Sequence, residues 1–313
     1  MRAARCCPGG RAHKMSFMSD TGSPWTIRRL LEWTTPFFAR KAVDAPRLSA
    51  ELLLAHVLGV PRIRLYTDYE RVVEQRQLSA FRELVQRAAE HEPIAYLTGK
   101  AHFFNLEIEV NRDVLIPRPD SETLVENVLQ LARNDPAMHS PRILELCTGS
   151  GCIAAAIAAH LKSASIIATD ISAAAIALAQ RNIQRLGLQE RVSLAQGDLY
   201  DALSGCVDAR PFDLIVANPP YIPTAQIARL DRNVRDYEPL AALDGGPDGL
   251  TLHRRIVEGA AQRLRPGGRI YLEIAFDQGE PAARILQGNP QWDDVRILRD
   301  SAGHQRVLTS RRR

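Results

Sequence analysis

No apolar run in this chain of 313 residues approaches the length of a membrane-spanning helix, which excludes a helical bilayer-spanning protein. Arg2, Arg5, Arg11 and Lys14 open the chain with no apolar segment behind them, so the pattern of a secretory signal is missing too. Cysteine is sparse and odd in number: Cys6, Cys7, Cys147, Cys152 and Cys206 are scattered, and neither they nor the eight histidines fall at zinc spacings. Reduced thiols of this kind fit a cytosolic compartment, with Cys147 and Cys152 as small packing residues. A broad basic face is also lacking, despite a formal net charge of +4. Four positive charges lie in residues 1–14 and three more are Arg311, Arg312 and Arg313, with no acid in either segment. Setting these seven aside leaves about −3 for the body, so direct nucleic-acid binding is not expected.

What is present is ample core material, 45% hydrophobic residues, in a length that suits one large domain and a small one. Residues 1–23, rich in Gly, Ser and Arg without periodicity, are expected to be a disordered extension, with Met15 or Met18 as possible starts. Residues 24–91 predict a small helical domain. Ser23-Pro24 reads as an N-cap and first helical position ahead of Ile27, Leu30, Leu31 and Trp33. A second helix is expected from Arg47 to Leu58, with Leu48, Leu52, Ala55 and Leu58 on one side and Gly59 ending it, and a third from Gln77 to Glu90. This domain has no catalytic constellation, and its place in the chain suggests docking.

Residues 92–117 predict a β-hairpin linker. Glu92 to Gly99 breaks the helical pattern, 104–110 alternates apolar and polar, Asn111-Arg112-Asp113 turns, and Val114-Leu115-Ile116 returns. Residues 118–313 then alternate strand and helix. Asp120 or Ser121 caps a helix; strands fall at 143–146, 166–169, 192–195, 212–217 and 269–274; Pro266-Gly267-Gly268 turns; two closing strands fall at 295–298 and 305–308. Such alternation predicts an α/β fold, a Rossmann-like, mainly parallel sheet with helices on both faces.

Chemistry collects at the carboxyl ends of the first four strands of that sheet, the edge where ligands bind. Gly149 and Gly151 let a backbone pass close to a ligand, and the helix start at Cys152 offers N–H groups to a carboxylate. Asp170 follows at the spacing at which an acid accepts ribose hydroxyls, and Asp198 ends the next strand, placed for an amino group of a base. The fourth strand ends in Asn218-Pro219-Pro220-Tyr221. Its prolines hold the backbone extended, so that the Asn218 side-chain oxygen and the Pro219 carbonyl lie close enough to accept both hydrogens of one NH2 group. A dinucleotide oxidoreductase competes for the glycine turn, but Ala154 stands where the third glycine of its fingerprint is required.

With these residues in place, the sequence resembles the class I S-adenosylmethionine-dependent methyltransferases, and among them the HemK-type protein-glutamine N5-methyltransferases of peptide chain release factors. The resemblance covers about residues 25–310 and rests on Glu92 to Gly99, Ile116 to Glu122, Glu145 to Gly151 and Asn218 to Tyr221. Asp236-Tyr237-Glu238-Pro239 and Gly245-Gly246-Pro247-Asp248-Gly249 add to it. It implies a cytoplasmic enzyme with S-adenosyl-L-methionine as cofactor, class I peptide chain release factors as protein partners, and no membrane. It also implies that Glu145, Thr148, Gly149, Gly151, Asp170 and Asn218 hold the cofactor and that Asp198 faces its adenine. Asn218, Pro219 and Tyr221 would be the catalytic residues, with Asn218, Pro219, Pro220, Tyr221 and Glu122 contacting the substrate.

Glu145 and Cys147 depart from the commoner Asp and Gly of this family, and Asn105 from a commoner glycine. The Thr148-to-Cys152 run is similar to sister enzymes that modify a ribosomal protein, whereas Pro117 to Glu122 and Asp236 to Pro239 are similar to the release-factor enzymes. The ribosomal protein therefore stays open as an alternative substrate. A nucleic-acid N6-adenine methyltransferase is a third reading, because its target NH2 poses the same geometric problem.

Overall fold

The computed structural model describes residues 24–204 and 210–313. The expectations for residues 1–23, which include Cys6 and Cys7, and for Cys206 lie outside the described residues. The chain divides into two compact units, one ending at Ile94 and the other running from Ala95 to Arg313.

In the first unit, α1 (Ile27–Arg40), α2 (Pro46–Leu58), a one-turn α3 (Arg64–Thr67) and α4 (Gln75–Ala89) enclose Leu30, Leu31, Phe38, Leu53, Leu54 and Phe81. The start of α1 differs from the Ser23-Pro24 expectation. Thr26 is the cap, its hydroxyl accepting the Arg29 N–H, and its extended backbone bridges to Val72, which leaves Pro24 outside the helix. Gly59 ends α2 as expected, at φ 64°. The buried face of α2 is rotated, however: Leu48 is 42% exposed, while Glu51 turns inward to Arg62 at 2.8 Å and to Arg47 and Tyr66. An acid does not count as apolar in a periodicity, so the apolar spacing alone points to the wrong face. Helix α4 begins before Gln77 because Glu74 and Gln77 form a capping box.

A single turn, α5 (Ile94–Thr98), leads to β1 (Lys100–Phe103) and β2 (Leu106–Glu109), an antiparallel hairpin in which Phe103 faces Leu106. Its two turn residues, Phe104 at φ 49° and Asn105 at φ 62°, are both left-handed, as the tightest hairpins require. The expected hairpin lay one strand later. Asn111 to Asp113 does turn, with Asp113 N–H donating to Asn111 Oδ1 at 2.9 Å, but 114–116 forms no strand and runs on to Pro117. Asn182 fastens the hairpin to the main body by accepting the Glu109 N–H at 2.8 Å and donating to the Glu109 carbonyl at 3.0 Å.

The remaining elements are α6 (Glu122–Asn134), β3 (Arg142–Leu146), α7 (Cys152–His160), β4 (Ser165–Asp170), α8 (Ala173–Arg185), β5 (Val192–Gln196) and β6 (Phe212–Ala217). After them come α9 (Arg232–Arg235), α10 (Thr251–Ala260), β7 (Leu264–Glu273), α11 (Gly279–Leu286), β8 (Trp292–Arg299) and β9 (Gln305–Arg312). The seven-stranded sheet has the order β5-β4-β3-β6-β7-β9-β8. Neighbours from β5 to β7 are parallel, and β9 runs antiparallel to both β7 and β8. Strand alternation sends Ile143, Leu214 and Val216 into one core with α6, α7 and α8, and Leu144, Leu146, Ile215 and Ala217 into the other with α10 and α11.

Two expectations change in this unit. Pro266-Gly267-Gly268 lies inside the span of β7, where the pairing with β6 is irregular between Phe212 and Leu214. Arg311 and Arg312 are part of β9, with Arg311 held to Asp293 at 2.9 Å, so the terminal arginines belong to the folded body. Strand β3 lies between β4 and β6, so the connections after it depart to opposite sides. That switch point opens a crevice above its carboxyl end.

Candidate active site

A cavity of about 330 Å³ lies at this switch point, and Gly149, Asp170, Asp198, Asn218 and Pro220 line it together. The four expected strand ends therefore meet in one place. After β3 the chain turns through Cys147, which takes φ 58° although it is not a glycine. Gly151 follows at φ 78°, where an added Cβ would come within 3.1 Å of the Ala179 Cβ, so α8 packs against bare backbone. As the N-cap of α7, Gly151 contributes no side chain, and the first-turn N–H groups of that helix gain no side-chain cap from it.

Asp170 braces this turn. Its Oδ2 accepts the Gly149 N–H at 2.8 Å and its Oδ1 accepts the Ser172 N–H at 2.9 Å. A carboxylate has lone pairs beyond these two bonds, and Asp170 lines the cavity. Burial pushes Asp170 above its ordinary value, against the pull of the Ser172, Gly149 and Ile171 N–H groups. Behind the turn, Glu145 is fully enclosed. Neither of its oxygens has a hydrogen-bond partner of good geometry, and the Thr148 hydroxyl is equally unpaired. Burial raises the Glu145 carboxyl to about 8, with Thr148 and the Ala154 N–H nearby offsetting this only in part. Unpaired buried polar atoms are costly unless something fills their need. Glu145 does not itself line the cavity; Cys147 and Thr148 do.

Asp198 differs from its expected state. It lines the cavity, but its Oδ2 is held by Arg255 of α10 at 2.8 Å, and Arg255 lines the cavity as well. Asn218 donates its Nδ2 to the Ser121 hydroxyl at 3.0 Å, which leaves its oxygen without a partner among the described residues. Pro219 and Tyr221 do not line the cavity. The Tyr221 hydroxyl instead donates to Glu273 Oε1 at 3.3 Å, and its carbonyl accepts Gln278 Nε2 at 2.9 Å. The glycine-rich run behind them has a clear reason: at Gly249, of φ 77°, a Cβ would come within 2.2 Å of the Tyr221 carbonyl oxygen. Glu122 is taken up structurally, its Oε1 accepting the N–H of Phe104 at 2.8 Å, and it lies away from the cavity lining.

Several residues escaped the sequence reading. Ser121, a cap candidate by sequence, makes no side-chain cap bond and touches Asn218 instead. Glu238 is buried and takes Arg118 and the Ile116 N–H, joining two walls of the cavity. Glu273 is fully buried in β7. Its signal was available: like Glu145, it is a lone acid within an apolar strand.

The order of the sheet, the reversed β9, the glycine turn after β3 and the acid ending β4 define a class I methyltransferase. The Asp170 carboxylate and the unpaired Thr148 hydroxyl at the cavity wall suit the hydroxyl-bearing S-adenosyl-L-methionine that such enzymes use as methyl donor. The family model described as "Methyltransferase small domain" matches residues 120–230, and that described as "PrmC N-terminal domain" matches residues 29–99. A solved structure, "Crystal structure of hMettl16 catalytic domain in complex with MAT2A 3'UTR hairpin 6", superposes with TM-score 0.50 at 17% identity, covering 66% of this chain and 75% of that one, a likeness of fold. Among curated proteins, the release factor glutamine methyltransferase of Rhodopirellula baltica is 41% identical over 295 residues, 93% of this chain and 99% of its own. That of Geobacter sulfurreducens is 44% identical over 294 residues, 94% and 99% of the two chains. The chain belongs to the release factor glutamine methyltransferase family.

Proposed function

We propose that this chain transfers the methyl group of S-adenosyl-L-methionine to the side-chain amide nitrogen of the glutamine in the Gly-Gly-Gln motif of class I peptide chain release factors. The observation that carries the chemistry is the Asn218 side chain at the cavity wall, its NH2 already engaged and its oxygen open. The names of the relatives favour the release factor over a ribosomal protein. Translation termination places the reaction in the cytoplasm.

An amide nitrogen is a weak nucleophile because its lone pair is delocalised. When bound, the cofactor supplies an activated methyl group. The Asn218 oxygen at the cavity wall, joined by the Pro219 carbonyl from just outside the lining, accepts the hydrogens of the substrate amide, which aims its nitrogen and stabilises the positive charge that grows there. No strong base is required, since the surplus proton leaves after the transfer. Pro220 shapes the wall, and Tyr221 anchors the motif from behind. Gly149, Gly151 and Asp170 hold the methionine and ribose portions, with Glu145 and Thr148 beneath them. Asp198 accepts from the adenine amino group once it shares or releases Arg255.

The test is peptide mass spectrometry of a class I release factor and of a total ribosomal-protein fraction, each incubated with this protein and S-adenosyl-L-methionine. One added methyl on the Gly-Gly-Gln glutamine is expected. Methylation of a ribosomal protein alone would move the assignment to the sister enzymes.

A further inference from the structure

Along the carboxyl edge of the sheet, Gly149, Asp170 and Asp198 stand at the ends of β3, β4 and β5, and Asn218 at the end of β6; all four line the first cavity. Beyond β6 come β7 and β9, and at that end of them lies a second cavity, of about 540 Å³. The two share a wall. Pro117, Arg118 and Ser121 line the first, while Pro119, Asp120 and Thr123 line the second. Across from this wall Phe276, just past β7, is 62% exposed, and its ring lies 6.3 Å from that of His304 in the turn between β8 and β9. Arg306 of β9 lines the same recess at 8% exposure and holds Asp120 at 3.0 Å and Asp300 at 3.3 Å. Its Nε has no hydrogen-bond partner among the described residues, so the recess carries a polar need that the chain does not meet itself. Asp120 and Asp300 against Arg306 leave the lining, with His304 neutral, one negative charge in excess.

We infer that this second recess is a docking site for the protein substrate, taking a basic side chain from the segment that flanks the methylated glutamine. This rests on the reading of Asn218 as acceptor of the substrate amide. With the cofactor held at the ends of β3, β4 and β5 and the amide at β6, the edge on one side of the glutamine is occupied. A chain continuing to the other side crosses Pro119 and Asp120 and enters the recess. An ammonium or guanidinium group there meets the face of Phe276 and the carboxylate of Asp120, whose side chain is 52% exposed despite its bond to Arg306. An acidic side chain would be repelled by the excess charge, and an apolar one would strip water from Asp120 and return no hydrogen bond. Docking apart from the reacting atoms contributes affinity rather than chemistry, so it acts on KM and on the choice of sequence around the glutamine.

The experiment measures steady-state methylation of a release factor by full-length wild type, Phe276→Ala and Asp120→Asn, with the S-adenosyl-L-methionine Kd from calorimetry alongside. We expect each substitution to raise KM for the release factor by about 3- to 10-fold, with kcat and the cofactor Kd within about twofold of wild type. Added salt should raise the wild-type KM more than that of Asp120→Asn. Phe276 is mostly exposed, so its truncation leaves the fold intact and keeps the test decisive even where Asp120→Asn disturbs the Arg306 cluster. Three results would overturn the inference: an unchanged KM in Phe276→Ala, a lower KM in Asp120→Asn, or a fall in kcat at unchanged KM in Asp120→Asn, which would make Asp120 a support for its neighbour Ser121. Wild-type methylation of the release factor is the separate check on the underlying reading. Its absence would remove both, whereas full wild-type activity with unshifted KM in the variants would remove the docking site alone.

Discussion

Glu51 and Glu145 are both carboxylates with about 1% exposure, one in each unit, and they are treated in opposite ways. Glu51 receives Arg47, Arg62 and Tyr66, and although burial alone would raise it, these donors bring it below the ordinary range. Glu145 has no well-placed donor and is raised to about 8 by burial. A saturated buried acid is a structural joint. An unsaturated one is held at a cost, and Glu145 bears that cost behind the turn whose Cys147 and Thr148 line the cavity.

That contrast is most severely tested where ligands are expected. Asn218→Ala should cut turnover by about 10²- to 10³-fold while calorimetric cofactor binding stays nearly intact; equal loss of both would remove Asn218 from the substrate side. Asp170→Ala should do the reverse and weaken cofactor affinity by about 10²-fold, because its open lone pairs are the ones a ribose would use. Unchanged affinity would show that Asp170 only braces the Gly149 turn.

Smaller effects separate the two buried acids directly. Glu51→Gln should lower unfolding free energy by about 1–3 kcal/mol, since it strands the donors around it. Glu145→Gln should instead raise stability of the cofactor-free protein above pH 8, by about 1 kcal/mol, while reducing cofactor affinity. Destabilisation by both to the same degree, in denaturant titrations, would erase the distinction.

The smallest effect is in pH dependence, where the signs are opposed. Glu51, depressed in the fold, contributes stability that is present above its unfolded pKa and lost as pH falls through its lower folded value. Glu145 and Glu273, raised to about 8 and about 7, bind protons more tightly folded than unfolded, so their contribution is lost as pH rises from the usual carboxylate range toward about 8. Thermal melts of Glu51→Gln should flatten the acid side of the profile, and those of Glu145→Gln the alkaline side.

Much of this was legible in the sequence. The strand-turn-helix rhythm and the four strand ends are local signals, and each of those ends reappears at the cavity. What escaped was contact between residues far apart in sequence. Nothing local says that Ser121 meets Asn218, 97 positions away, or that Arg255 holds Asp198, 57 positions away. The hairpin is misplaced by sequence for a different reason: Phe104 reads as a strand residue and masks the turn signal of Asn105, although both supply left-handed angles. Glu51 and Glu273 were passed over because acids are normally read as solvent-facing, though an isolated acid in an apolar stretch is the stronger warning.

Strand β9 is the last in the sequence yet occupies an interior place, between β7 and β8. The edge strand β8 joins the sheet through β9. Without residues 305–312, the edge of β7 and the whole of β8 would be left unpaired and adhesive. Damage confined to that one segment therefore costs the sheet two strands.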